Sequence, residues 1–226
     1  KMSEIRVENI IGETGTDAVK FTKGINVTGI VTATNVSIGS SVTATNFFGS
    51  GAGLSGVSAG KILQLVTNEK SDVVSISGQN NGSSFADVTG INVTITPTVA
   101  SSKILVQFCL GKVGHSSNST GVRFTRSVAG GSATVIKVNT NLGSRKAVSS
   151  NILGSNLINS GHAQAFNYKF VDTPSYSVGQ AIVYQMQVLT EGSNSFYVNR
   201  TVDDTDNGNI YFARAFSTIT AMEVSA

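Results

Sequence analysis

Lys103, Lys112, Arg123, Arg126, Lys137, Arg145, Lys146 and Lys169 all fall within residues 88–171, a span without one aspartate or glutamate. A run of like charge that long can attract acidic sugars or lipid phosphates. It can equally be matched from within the chain, because residues 172–226 carry six acids against two bases, with Asp172, Asp203, Asp204 and Asp206 the natural partners. Two long polar stretches, 114–121 and 149–161, combine amides and hydroxyls suited to hydrogen bonding with sugars. The side chains placed to present this chemistry are His115, Ser116 and Asn118 in the first, Asn151, Asn156 and Asn159 in the second, and the adjacent cations Arg145 and Lys146 just before it. Tyr176 and Tyr197 offer either stacking faces or core contacts.

Other chemistries find less support. The acidic segment "NRTVDDTDNGN" has no Glu at the twelfth position from Asp203 or Asp204, as an EF-hand loop needs, and it reads as a tight turn between a strand ending at Arg200 and one starting near Ile210. His115 and His162 stand apart in loops, with no His-x-His pair, so no metal or other cofactor is expected. The single cysteine, Cys109, has no activating histidine beside it and is expected to be a buried structural thiol. No nucleophile elbow, phosphate loop or zinc motif occurs, and an enzyme is not expected. The bases are scattered over several strands without interleaved aromatics, which argues against nucleic acid as a partner. No apolar run is long enough to span a membrane, and the N-terminal residues lack the order of a signal peptide, so neither membrane insertion nor export by that route is expected.

The elements that must position these groups are strands. "KILVQFCL" puts Ile104, Val106, Phe108 and Leu110 on one face of a period-two ribbon, and "AIVYQMQVL" does the same with Ile182, Tyr184, Met186 and Val188. Further strands are expected at 61–67, 73–77, 91–96, 122–126, 134–139, 165–171, 195–200 and 216–224, separated by Asn/Gly/Ser clusters. Ten or so short strands without a long helical period predict an antiparallel β-sandwich. Charged residues make up only 13% of the chain, so Ser, Thr, Asn, Gln and Gly must cover its surface.

The first sixty residues read differently. "VTATN" occurs at 31–35 and again at 42–46, in a stretch with strand propensity and only Phe47 and Phe48 as aromatics. Such a stretch has little core of its own and must pair with other chains, unless it is a Gly/Ser linker. Collagen is excluded, because glycine does not recur every third residue and there are two prolines.

"MSEIRVENIIGETGTDAVKFTKGINVTGIVTATN" and "FFGSGAGLSGV" resemble the shafts of tail-fibre-like virion proteins of tailed phages, marine and cyanobacterial ones especially. "FADVTGINVTITPTVASSKILV", "YQMQV", "YVNRTVDDTD" and "RAFSTITAMEV" look like the trimeric β-sandwich head that such fibres carry. The resemblance lies in the order of these segments over nearly the whole chain. It implies an all-β homotrimer made in the host cytoplasm and built into the virion. Residues 1–23 would attach to other tail or capsid proteins, 24–60 would form an interchain-paired shaft and neck, and 61–226 a jelly-roll-like head. Phe47, Phe48, Leu54 and Val57 would then pack on the threefold axis of the neck, and the head would touch a host surface glycan or outer-membrane component. A capsid or tail decoration protein with a purely structural role is the alternative, and a polysaccharide-degrading spike a further one.

Overall fold

Alternation of apolar and polar residues drives this chain into ribbons that bury one face, and the computed structural model bears this out over the residues it describes: 26–32, 39, 41, 43, 62–77, 85–116, 119–140, 142–153, 163–192 and 194–225. The chain divides into two units, Lys1–Leu54 and Ser55–Ala226. In the first, the described residues form no strand, and Val27, Ile30 and Val31 are exposed. Phe47, Phe48, Leu54 and Val57 lie outside the described residues, as do Asn118, Asn156 and Asn159.

The second unit contains β1 (Ile62–Lys70), β2 (Val74–Ile76), β3 (Ala86–Ile95), β4 (Lys103–His115), β5 (Ser119–Val128), β6 (Thr134–Ile136), β7 (Ser150–Leu153), β8 (Gln164–Asp172), β9 (Ile182–Thr190), β10 (Phe196–Val198) and β11 (Ser217–Val224). All the pairings are antiparallel. One sheet runs β1-β11-β4-β10-β2, with β8 on the other side of β4, and the second runs β3-β9-β5-β6, with β7 also on β5. The long strands and the short β7 pair as a nested set, β1 with β11, β3 with β9, β4 with β8 and β5 with β7. That winding of one long hairpin into two facing sheets is the jelly-roll arrangement of an all-β sandwich.

The two ribbons legible in the sequence form the middle of the core. Ile104, Val106, Phe108 and Leu110 of β4 and Ile182, Tyr184, Met186 and Val188 of β9 are all buried. Between the sheets Phe108 meets Phe124 of β5 at 4.6 Å, and Phe124 meets Tyr168 and Phe170 of β8 at 4.9 and 5.4 Å. Offset and tilted rings at such distances add to the area they bury.

Differences from the sequence reading have local causes. β3 begins at Ala86, because a bulge between Asp87 and Asn92, with Gly90 at φ +75°, breaks the period that defined only its second half. β7 falls in a stretch expected to be loop, where "SNIL" is too short to show a period. No strand starts near Ile210; Asn209 caps a 3-10 helix at Ile210–Phe212 by accepting from the Tyr211 N–H, and β11 follows at Ser217. Cys109 is half-buried on the outer face of β4, with Gln107 Nε2 3.1 Å from its sulfur, rather than buried.

Candidate functional site

Gly121 stands in an alternating strand where a side chain is expected, and the site grows from that gap. On the outer face of the second sheet Gly121 pairs with Asn151 of β7 on one side and Leu189 of β9 on the other. One step along, the Glu191 N–H reaches the Ser119 carbonyl at 3.4 Å. The segment before β7 crosses above this row, held where the Ser149 N–H donates to the Val122 carbonyl at 2.8 Å. A methyl group at position 121 would stand 2.9 Å from Val148 Cγ1, so glycine is what lets this segment lie so close. The result is a cleft of about 360 Å³ lined by Ser119, Gly121, Lys146, Val148, Asn151, Leu189 and Glu191.

Val148 and Leu189 give the cleft an apolar floor, Ser119 and Asn151 neutral hydrogen-bonding groups, and Lys146 and Glu191 one charge of each sign. Ser119 Oγ donates to Asn151 Oδ1 at 2.9 Å, which leaves the Asn151 amide hydrogens for a guest. Lys146 and Glu191 are exposed, and neither side chain has an ion-pair partner among the described residues. Beside the cleft, Arg123 stacks over Phe85 at 4.0 Å and bonds Gln187 at 2.8 Å, and Gln187 in turn donates to Asp87 at 2.7 Å.

The structure therefore brings together two of the residues picked from sequence, Lys146 and Asn151, and among the others that are described it places Arg145, Ser116 and His115 outside the cleft. Arg145 is exposed but folds back toward the Leu142 carbonyl, 3.4 Å from its Nη1, and does not line the cleft. Ser116 is half-buried and tied to residue 195, whose N–H donates to its Oγ at 2.8 Å. His115 corrects the sequence reading outright: β4 continues through it, Phe196 of β10 pairs with it, and its side chain is fully buried and cannot face a ligand. Ser119 and Gly121 fall within the polar stretch 114–121 without having been singled out, and Val148 and Leu189 were missed. The available signal was Gly121 itself, since an isolated glycine within a strand pattern marks a close backbone approach.

The remaining bases of the acid-free block do not form one face. Arg126 pairs with Asp172 at 2.8 Å and Lys137 approaches the same carboxylate at 3.9 Å. Lys112 Nζ donates to the Tyr211 and Ala213 carbonyls at 3.0 and 2.6 Å. Asp204 is occupied by Arg214 at 2.7 Å and Arg200 at 3.6 Å. Internal matching thus accounts for Arg126 and Lys137 but leaves Lys146 to the cleft. Tyr176 serves the core edge, its hydroxyl donating to the Val99 carbonyl at 2.7 Å and accepting from the Ser102 N–H at 2.9 Å. Tyr197 is half-buried under the Arg200 guanidinium at 4.5 Å.

Two acids sit at the opposite end of the sandwich, where β1 begins. Along the row Gln64–Glu223–Ile104–Asp172 of the first sheet, Glu223 and Asp172 both point inward and are buried. Glu223 accepts hydrogen bonds from the Thr98 N–H and hydroxyl and the Val99 N–H, each at 3.0 Å, and from Gln64 Nε2 and Ser102 Oγ, each at 2.8 Å. Burial alone raises a carboxyl pKa, but the donors from Thr98, Gln64, Ser102 and Val99 together outweigh it and hold Glu223 below its ordinary value. Asp172 accepts from the Tyr184 hydroxyl at 2.9 Å as well as from Arg126, joining β8 to β9 and β5 across the sandwich. Burial first, and the Asp172 charge next, push the Tyr184 phenol far up.

No family model matches the chain, and no curated protein does. Among solved structures, 72% of the chain is similar in fold to a chain in the structure of infectious bursal disease virus Gx strain, with 18% identity and a TM-score of 0.34. The match spans 37% of that chain. What the fold and the site define together is a class, a jelly-roll β-sandwich with a small amphiphilic cleft on the outer face of one sheet.

Proposed function

We propose that this is a non-enzymatic virion structural protein, a homotrimeric tail fibre whose head attaches to a glycan on the host surface. The observation that supports it is the placement of the cleft. Ile62, where β1 starts, pairs with Val224 beside Lys103, at one end of the first sheet, whereas Ser119 and Glu191 lie next to the turn from β4 to β5 at the other end. The cleft and the start of β1 thus lie at opposite ends of the sandwich. Its chemistry, apolar floor with amide, hydroxyl and charge around it, suits a sugar ring, which has an apolar face and a polar rim. Exposed Val27, Ile30 and Val31, within the stretch read as shaft, are surface that neighbouring copies would cover. Residues 1–23 then bind the remainder of the virion.

Immunogold electron microscopy of particles with an antibody to residues 62–225 tests the reading. Label at the free ends of fibres, together with a trimeric mass for the full chain by light scattering, supports it. Label over the capsid lattice would make the chain a decoration protein instead.

A further inference from the structure

The cleft is lined by one ammonium and one carboxylate beside apolar Val148 and Leu189, and among the described residues neither charge has a partner within ion-pair distance. Elsewhere in the sandwich, Asp172 has Arg126, Asp204 has Arg214 and Asp72 has Lys70 at 2.7 Å. Two opposite charges lining one small cavity leave Lys146 available to an anionic group of a guest and Glu191 available to its hydroxyl donors. We infer that the cleft selects a sugar carrying a single anionic substituent, a carboxylate or a sulfate, and rejects polyanionic sugars. This rests on the glycan-binding reading and names the class of glycan.

The chemistry assigns a role to each wall. Lys146 is a flexible point charge with three donors, suited to one anionic oxygen cluster. Glu191 accepts only, so it takes two neighbouring sugar hydroxyls, which donate. The Asn151 amide, its oxygen already used by Ser119, donates to a ring or hydroxyl oxygen. Val148 and Leu189 meet the apolar ring face, and Gly121, with no side chain of its own, lets Val148 pack down onto β5 beside them. A second anionic group would be driven against Glu191, and like charge brought together in a cleft is an effective means of exclusion. Arg145, folded back on Leu142, lies outside this recognition.

An array of uronate-containing, monosulfated, polysulfated and neutral oligosaccharides, probed with the full-length protein, reads the inference directly. The wild type is expected to bind one of the singly charged classes at least about tenfold better than its neutral counterpart, the worth of one charge-assisted hydrogen bond. Lys146→Ser should abolish that preference, Arg145→Ser should leave it within about twofold, and Glu191→Gln should raise binding of polysulfated sugars about tenfold. Equal binding of neutral and anionic sugars, or a preference untouched by Lys146→Ser, overturns the charge selection while leaving a glycan site in place. Binding to no sugar class overturns both the selection and the glycan reading.

Discussion

Glu223 and Asp172, at the end of the sandwich where β1 begins, are carboxylates withdrawn from water and supplied with donors from several strands and loops, whereas Lys146 and Glu191, near the opposite end, are exposed and without an ion-pair partner among the described residues. The contrast separates two uses of charge. A buried carboxylate with an incomplete shell would be costly, so Glu223 can exist only because residues 96–102 fold over it and aim two N–H groups and two hydroxyls at it. That shell fixes the crossing from β3 in one sheet to β4 in the other. An exposed charge without a partner costs little, and leaving it unmatched retains its capacity for an incoming group. On the proposed function, stability and recognition then belong to different ends of one fold, and changes at one end should leave the other nearly untouched.

Removing the Glu223 carboxylate should have the largest effect. Glu223→Ala takes the acceptor from the Thr98 and Val99 N–H groups and the Thr98 hydroxyl and leaves Ser102 Oγ only the Val99 carbonyl, 3.2 Å away, and a loss of about 3 kcal/mol in urea unfolding is expected. A loss below about 1 kcal/mol would mean that the shell re-forms around water and that the crossing is not held by this residue.

Acid should reproduce part of that loss. Because the folded protein holds the Glu223 pKa below its unfolded value of about 4.3, the stabilisation is complete above that pH and is lost as pH falls through the lower, folded value. Thermal unfolding followed between pH 6 and pH 2 is expected to show a fall in Tm beginning below about pH 4. In Glu223→Gln that segment of the profile should flatten; an unchanged profile would assign the acid sensitivity to other carboxylates.

The clasp between the sheets should cost less to open. Arg126→Met leaves Asp172 with the Tyr184 hydroxyl and a Lys137 ammonium 3.9 Å away, and about 2 kcal/mol is expected. Tyr184→Phe, which removes one hydroxyl and keeps the ring, should cost about 1 kcal/mol. If the two changes together cost the sum of the separate losses, the three side chains do not act as one network, since groups sharing a partner should couple.

At the other end the expected stability effects are the smallest. Lys146→Ser and Glu191→Gln should each change unfolding by less than about 0.5 kcal/mol. A larger loss would join the two ends and contradict the separation of roles.

The sandwich was legible because its two central ribbons carry uninterrupted alternation, from Ile104 to Leu110 and from Ile182 to Val188, and alternation is the property the fold exploits. The site was only half legible. Lys146 and Asn151 announced themselves by type, and their neighbours were hidden because the cleft is assembled by register: Gly121 meets Asn151 only through the pairing of β5 with β7, a strand too short to show a period. His115 misled for the related reason that Gly114 and His115 look like loop residues, although the pairing of β10 with β4 draws them into the sheet. Charge matching was similarly indirect, since the partner of Arg126 is forty-six positions along the chain and is set by the approach of the two sheets.

The most direct test of the account is site-specific photo-crosslinking to host envelope glycan, with the photoreactive residue placed either at position 151 in the cleft or at position 167. Asn167 lies on the outer face of the other sheet, beside a second, smaller depression formed with Gln107, Tyr168 and Lys169. The account predicts glycan cross-links from position 151 that disappear with Lys146→Ser, and none from position 167. Cross-links from position 167 in the absence of any from position 151 would place recognition on the wrong face of the sandwich and contradict it.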